Sequence, residues 1–294
     1  FATALPLSGA TATITASNVG FTKEPGEPNH AGNPGGKSIW WRWIAPASGP
    51  VTLSTAGSTF NTLLAVYTGA QLAAAGVKAM PGPAGFKRAD GSAPASAPRC
   101  ALAVDTVRFV GEPVAAVVAR TRGAARDAAE AVLVAYDELP AVTEPAKAVA
   151  PGAPVLCAQA PDNISAEMRH GSASATAAAF ASAAHVVTLD LVNQRLAPSP
   201  MEPRAINAMP DGERLLVRIS SQMPTGVRAS LVDAIPGLTA ENVRVVVGDV
   251  GGGFGMKTGI HPEDIVVAYA ARSLGLPVRW QADRVEDFVS AIHG

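Results

Sequence analysis

The stretch Val243–Lys257, VRVVVGDVGGGFGMK, decides the fold prediction for this chain. Its β-branched run predicts a strand, and the strand leads into Gly251–Gly255, where only Phe254 carries a side chain. Glycines in such a loop allow positive φ angles and let a ligand approach the backbone, whose N–H groups can bind an anionic or oxo group. A plain tight turn is the competing interpretation.

The loop fails two common nucleotide-binding motifs. Met256 separates Gly255 from Lys257, whereas a Walker A loop needs glycine, lysine and a hydroxyl residue in succession. The next predicted helix begins only near Pro262, which is too late for a dinucleotide fingerprint, in which the helix opens directly from the glycines. The loop alone therefore leaves two interpretations open: a plain tight turn, or a backbone-lined ligand site of another kind.

Length and composition set limits on the rest. The 294 residues allow two or three domains, and the formal net charge of −1 gives no basic surplus for nucleic acid or a membrane surface. No apolar run reaches the roughly 18 residues of a membrane span. Two cysteines, Cys100 and Cys157, predict neither a disulfide framework nor a zinc site. The start at Phe1 and the lack of a leader-like segment predict that the natural N-terminus is missing and that no signal peptide is present.

The composition changes near residue 70, which predicts two unlike parts. Residues 1–70 contain three of the four tryptophans and no aspartate, and their short β-prone runs alternate with Gly, Pro and Asn turns, as in a β-sandwich. After that, strand-like and helix-like segments alternate, which predicts an α/β or α+β body. The proline-rich stretch 140–161 predicts a linker.

Three runs in the first part carry a specific resemblance: Asn18–Gly32, Ser38–Pro46 and Phe60–Gly69. Together they resemble the bacterial pre-peptidase C-terminal-like domain. The resemblance implies that residues 1–69 are a partial β-sandwich module, secreted and non-catalytic.

The second part resembles the large, molybdenum-binding subunit of the xanthine dehydrogenase / aldehyde oxidase / carbon monoxide dehydrogenase family. The matching segments follow the family order: Asp105–Ala115, Ala128–Val142, Asn193–Arg204, Ser220–Gln222, the glycine loop, Arg272–Trp280 and Arg284–Phe288. The resemblance implies a partial α/β hammerhead domain over 70–142, a linker over 143–161, and the N-terminal part of a molybdopterin-binding domain over 162–294. With the sandwich fragment, the predicted fold class is α+β.

The same resemblance implies a molybdenum–pterin cofactor and names the residues that bind it. Gln222 falls at the glutamine that approaches the oxo ligand of the metal, and an exposed polar residue at a strand end is its competing interpretation. Phe254 and Gly255 fall in the loop under the metal, and Gly252 and Gly253 allow close backbone approach. No protein ligand to the metal is predicted.

Two further positions carry predictions on substrate and structure. Glu202 is expected to be a structural carboxylate paired with Arg204. Thr258 occupies the position where purine-oxidising members carry a glutamate, which argues against a purine substrate.

The implied reaction is hydroxylation of a carbon centre of a small molecule with oxygen derived from water. Electrons would leave through iron–sulfur and FAD subunits or domains. No acidic residue of this chain matches the catalytic glutamate of the family, and Cys100 and Cys157 match no catalytic loop. The chain is therefore expected to be a fragment of a large subunit that is inactive by itself, with no catalytic residue assigned.

The two resemblances meet within Ala65–Ala70, which leaves two other hypotheses open. The chain could be a non-catalytic secreted binding module, or a chimera of sequence assembly without function. Location is in conflict too: the enzyme part predicts the cytoplasm, with the periplasm as the alternative, whereas the N-terminal module predicts export.

Overall fold

The computed structural model describes residues 5–7, 41–43, 63–82, 85–192 and 196–291. Most of the predicted sandwich over 1–69 lies outside these ranges, as does the start of the Asn193–Arg204 segment. Within the first part, strand β1 (Leu5–Leu7) pairs in parallel with strand β2 (Trp41–Trp43). The pre-peptidase resemblance therefore falls largely outside the described residues.

A two-stranded antiparallel sheet follows. Strand β3 (Leu63–Thr68) pairs with strand β4 (Ala115–Ala119), and Thr68 caps the short helix α1 (Gly69–Ala74). Tyr67 of β3 is buried, and its ring meets that of Tyr269 edge to face, with centroids 5.8 Å apart. Although the sequence placed residues up to 69 in the sandwich, β3 shares a sheet with the part that follows it.

Helices and extended segments fill the region up to residue 200. The helices are α2 (Arg122–Glu130), α3 (Pro145–Ala148) and α4 (Ala173–Ser182). The alanine-rich stretch Ser172–Ala184 predicts a helix, and α4 confirms it. The apolar runs Val132–Asp137 and His185–Asn193 predict strands, but the described residues form no strand there. Such runs form strands only where a partner offers backbone hydrogen bonds, and in the first of them Leu133 is 95% exposed.

A four-stranded mixed sheet holds the glycine loop. Strands β5 (Ala205–Asp211) and β6 (Arg214–Ile219) form a hairpin, β6 pairs in parallel with β7 (Val243–Val246), and β5 pairs antiparallel with β8 (Val278–Gln281). The strand order is β7-β6-β5-β8. The mixture of helices and strands agrees with the predicted α+β class.

Three helices belong to this sheet: α5 (Pro224–Ala234), α6 (Pro262–Leu274) and α7 (Arg284–Ser290). Proline at the first position of α5 and α6 suits a position whose N–H has no helical partner, and Gly275 ends α6 in the left-handed conformation. The core packs α5 and α6 against the alternating buried residues of β5 and β6. Within the described ranges, no helix has the length and apolarity that a membrane crossing requires.

The core supports a stability prediction on two leucines. Leu231 is fully buried in α5, whereas Leu133 is exposed in an extended segment. We expect Leu231→Ala to lower the free energy of unfolding by about 3 kcal/mol, because it removes buried methyl groups and leaves a cavity. Leu133→Ala is the matched control and should stay within about 0.5 kcal/mol of the parent in urea denaturation. A large loss at Leu133 would mean that the 132–137 segment is packed.

Candidate functional site

The glycine loop and Gln222 meet at one edge of the mixed sheet. Because β6 and β7 are parallel neighbours, their carboxyl ends lie side by side, and Gln222 follows β6 as the glycine loop follows β7. The backbone N–H of Gln222 donates to the carbonyl of Lys257 over 2.9 Å, and its Oε1 accepts from the Lys257 N–H at 3.3 Å. Residues that bind one cofactor are expected to lie close together, and these hydrogen bonds confirm that closeness for Gln222 and the loop. Their cofactor role stays a prediction.

Gly253 is in direct contact with Gln222. A Cβ atom at this position would lie 2.2 Å from Gln222 Oε1 and 2.5 Å from its Cδ. The glycine therefore makes room for the side chain that closes the site. No described residue accepts a hydrogen bond from the Gln222 amide nitrogen, so this donor is available to a ligand.

The loop backbone has positive φ angles and N–H groups without hydrogen-bond partners. Gly252 and Gly255 have φ angles of 96° and 87°, and Phe254, a residue with a side chain, has a φ of 49°. The Phe254 side chain is 70% exposed. Among the described residues, none accepts from the backbone N–H groups of residues 252–255, which leaves four consecutive donors beside the Gln222 amide.

Glu202 holds this loop, and it is not paired with Arg204. Its Oε2 accepts from Gly251 N at 2.7 Å, from Ser220 Oγ at 2.7 Å and from Lys257 Nζ at 3.1 Å. Partial burial opposes ionisation of Glu202, but the hydrogen bonds from Ser220, Gly251 and Lys257 outweigh it and lower its pKa. Glu202 is thus an ionised acceptor at neutral pH.

Lys257 is the cation that pairs with the Glu202 carboxylate. Its side chain is 1% exposed, and its Nζ donates to Glu202 O and to Ser220 Oγ, both at 2.8 Å, as well as to the Glu202 carboxylate. These three acceptors match the three protons of an ammonium group. The lysine is therefore a fully partnered internal ion and leaves no proton for a ligand.

The predicted pairing of Glu202 with Arg204 is wrong because Arg204 belongs to a separate buried network. Its Nε donates to Asp287 Oδ1 at 2.8 Å, and its terminal nitrogens donate to the Glu263 carboxylate at 3.0 and 3.3 Å. Burial opposes the charge of Arg204, but Glu263 and Asp287 more than compensate and raise its pKa. The network ties the segment before β5 to α6 and α7.

His261 lies between the loop and α6. It is the residue before the helix, it is buried, and its Nε2 lies 2.8 Å from the carbonyl of Met256. Burial, followed by the charge of Arg204, lowers its pKa to about 4, so the ring is neutral at neutral pH. Burial also raises the pKa of Asp264, which accepts from the His261 N–H, to about 7.

The structure brings all five predicted cofactor residues together: Gln222, Gly252, Gly253, Phe254 and Gly255. The roles of Ser220 and Lys257 were not predicted from the sequence, and the partner of Glu202 is Lys257 rather than the predicted Arg204. Among the described residues, no group of three His, Cys, Asp or Glu side chains is arranged to hold a metal ion, and Cys100 and Cys157 are free thiols.

Comparison with known families decides the relationship of the chain. The model of the molybdopterin cofactor-binding domain matches residues 156–294, and that of the aldehyde oxidase and xanthine dehydrogenase a/b hammerhead domain matches residues 58–140. Residues 58–140 and 156–294 therefore belong to the family of molybdenum hydroxylase large subunits. The hammerhead match includes β3, which agrees with its pairing to β4. The predicted pre-peptidase module gains no support from these matches, and the domain boundaries at 69, 142 and 161 stay predictions.

Curated relatives and solved structures agree with this family. The chain is 36% identical over 192 residues to the 6-hydroxypseudooxynicotine dehydrogenase complex subunit gamma of Paenarthrobacter nicotinovorans, covering 65% of this chain and 24% of the relative. It is 38% identical over 200 residues to the carbon monoxide dehydrogenase large chain of Hydrogenophaga pseudoflava, covering 63% and 25%. The crystal structure of quinoline 2-oxidoreductase from Pseudomonas putida 86 superposes with a TM-score of 0.65 at 34% identity, covering 79% and 29%. The chain spans about a quarter of the length of these curated relatives.

The buried Arg204 network generates a stability prediction. Asp287→Asn removes one of the two carboxylates that neutralise the buried guanidinium, so we expect a loss of about 3 kcal/mol in the free energy of unfolding. Asp211→Asn, at an exposed carboxylate at the end of β5, is the control and should change it by less than about 0.5 kcal/mol. Equal effects of the two substitutions in urea denaturation would contradict the network.

His261 generates a pH prediction. Its pKa is about 4 in the folded protein against 6.5 ordinarily, so the unfolded chain takes up the proton first, and stability is lost as the pH falls between these values. The buried Asp264, whose pKa is raised, changes stability with pH in the opposite direction. The measurement therefore compares the stability of the parent with that of His261→Gln, which retains Asp264, at each pH. The stability advantage of the parent over this variant should shrink by roughly 2 kcal/mol between about pH 7 and about pH 4.5. An advantage that stays constant in denaturation at both pH values would contradict a neutral buried His261.

Proposed function

We propose that Gln222 and the loop 252–255 bind the molybdenum–pterin cofactor, and that the protein to which they belong oxidises a carbon centre of a small molecule. The observation that carries the proposal is the set of five hydrogen-bond donors without a partner: four consecutive backbone amides and the Gln222 side-chain amide. Backbone N–H groups that are withdrawn from water are nearly always paired in folded proteins. Gly253 is buried and Gly252 and Gly255 are half-buried, so the free donors at this sheet edge call for an acceptor-rich group.

The residues present fit such a group. The oxygen atoms of an oxo-metal centre and of a pterin phosphate accept hydrogen bonds, and the site supplies donors without a competing carboxylate, since the charge of Glu202 is taken up by Lys257, Ser220 and Gly251. Gly253 lets the Gln222 side chain approach the loop. When bound, the cofactor supplies the redox chemistry that inserts oxygen from water into a carbon–hydrogen bond.

The roles of the chain's own residues follow from their chemistry. The Gln222 amide donates to the bound group and orients it. The amides of residues 252–255 hold it from the loop side, and the exposed ring of Phe254 is available for apolar contact. None of these groups exchanges a proton near neutral pH, so they bind and orient, and we assign no acid–base catalyst to them.

Substrate and partners are further parts of the proposal. Thr258 donates through its hydroxyl to the carbonyl of Gly255 at 2.7 Å and presents no carboxylate, which favours a small molecule other than a purine. We infer that electrons pass to iron–sulfur and FAD partners, because two separate cysteines cannot hold a cluster. We propose the cytoplasm as the location, with the periplasm as the alternative, and a non-catalytic role for residues 1–69.

The test is a graft into a complete enzyme. In the nicotine 6-hydroxylase large subunit of Paenarthrobacter nicotinovorans, which is 37% identical over 194 residues, the matching segment is replaced by residues 196–291 of this chain. We expect the graft to retain molybdenum and turnover. Gln222→Ala in the graft should lower turnover by roughly 10- to 100-fold, since a hydrogen bond to a charged group contributes about 1.5–3 kcal/mol.

Gln281→Ala, at an exposed glutamine that ends β8, is the matched control and should leave turnover of the graft unchanged. Equal turnover in the two variants, or a folded graft without molybdenum, would contradict the proposed function.

The 294-residue chain by itself should hold no stoichiometric molybdenum. The described donors all come from one loop and its neighbour, whereas an anionic group in a desolvated site needs partners on every side. Elemental analysis after expression in a host that makes the cofactor checks this, with an aldehyde-dependent dye-reduction assay alongside. Near-stoichiometric metal with turnover would show that the chain carries more of the site than its described residues indicate.

A further inference from the structure

We propose that Glu202 is a positioning residue, whose carboxylate fixes the glycine loop in the conformation that leaves the amides of residues 252–255 free for the cofactor. The proposal rests on the proposed function for the identity of the ligand. The loop conformation itself can be measured without any ligand.

Glu202 holds the beginning of the loop by two contacts. Its carboxylate accepts from Gly251 N at 2.7 Å, and its own backbone N–H donates to Gly251 O over 3.2 Å. The two residues are also packed together, since a Cβ atom at Gly251 would lie 2.5 Å from Glu202 Cβ. Both backbone polar groups of Gly251 are thereby committed to a single residue.

The same residue holds the end of the loop through Lys257. The buried Nζ donates to the Glu202 carbonyl and to its carboxylate, and Ser220 Oγ joins the two charged groups from the end of β6. Gly251 and Lys257 are thus fixed to one point, and residues 252–256 form the span between them. Fixing both ends removes much of the conformational freedom that a five-residue, glycine-rich span would otherwise have.

Residues 252–256 need such restraint because their backbone conformation is unfavourable in free energy. A non-glycine residue in the left-handed region is disfavoured by roughly 1–2 kcal/mol, and Phe254 occupies that region. The backbone N–H of the buried Gly253, which has no acceptor among the described residues, adds to this cost. Strained backbone of this kind persists only where the surrounding contacts over-determine it, and the contacts of Glu202 are those that meet the loop at both ends.

The charge of Glu202 suits this role over a wide pH range. Partial burial works against the ionised form, but the three donors outweigh it and lower the pKa of the carboxyl. Since the folded pKa lies below the ordinary value, the restraint is complete at neutral pH and is lost only as the pH falls through that depressed value.

Amide hydrogen exchange on the purified 294-residue chain tests the proposal. The reporters are the hydrogen-bonded amides of Gly251, Met256 and Lys257, and the reference is the set of amides in the β5–β6 hairpin. Glu202→Ala should speed exchange of the loop reporters at least about tenfold and leave the hairpin amides within about twofold.

Two variants set the specificity of this result. Glu202→Gln keeps an acceptor for Gly251 without the charge, so we expect it to restore most of the protection at Gly251 and less of that at Lys257. Glu213→Ala, at an exposed glutamate in the hairpin turn, should leave the exchange rates of the loop amides unchanged.

If Glu202→Ala does not fold, Ser220→Ala carries the test, because it removes one donor to Glu202 and leaves the charges of Glu202 and Lys257 in place. Faster exchange confined to the loop then supports the proposal.

Unchanged loop exchange in Glu202→Ala would overturn the proposal. Equal acceleration of the loop and the hairpin would also overturn it, because Glu202 would then serve general stability. The outcome is independent of the graft: a loop that relaxes on loss of Glu202, together with a graft indifferent to Gln222→Ala, would keep the positioning role and remove the proposed function.

Discussion

The burial of Lys257 is the constraint on which the site depends. A cation removed from water is tolerated only with its hydrogen bonds satisfied and its charge balanced, and Glu202 and Ser220 provide both. Because Gly251 and Lys257 are both bound to Glu202, residues 252–256 form a span between two fixed ends. Within this span Met256 is buried and Phe254 is exposed, and Gly252, Phe254 and Gly255 have positive φ angles.

The segment before β5 contributes to two separate ionic networks. Glu202 contacts the glycine loop, whereas Arg204, two residues later, pairs with Glu263 of α6 and Asp287 of α7. The second network fixes the helices under the site, and His261, whose ring meets the Met256 carbonyl, connects the loop to the start of α6. The glycine loop is therefore held by Glu202, and the segment that carries Glu202 is held by the buried Arg204 network.

Local patterns predicted those parts of the fold that local chemistry controls. α6 begins at Pro262 as expected, and the strand before the glycine loop and the closeness of Gln222 follow from β-branched residues and parallel pairing. β5 was missed because AINAMPD has little β propensity and is a strand only through its two neighbours. The partner of Glu202 was misassigned because nearness along the chain suggested Arg204, whereas Lys257 is 55 residues away. The strand expected over 132–137 depended on a pairing partner that no sequence pattern can supply.

A crystal structure of the chain that places the loop backbone would test the role of the buried lysine. We expect Lys257 Nζ inside the protein, within hydrogen-bonding distance of the Glu202 carboxylate and of Ser220 Oγ, and a positive φ angle at Phe254. A Lys257 side chain extended into solvent, with Glu202 paired elsewhere and the loop in an ordinary right-handed turn, would contradict it.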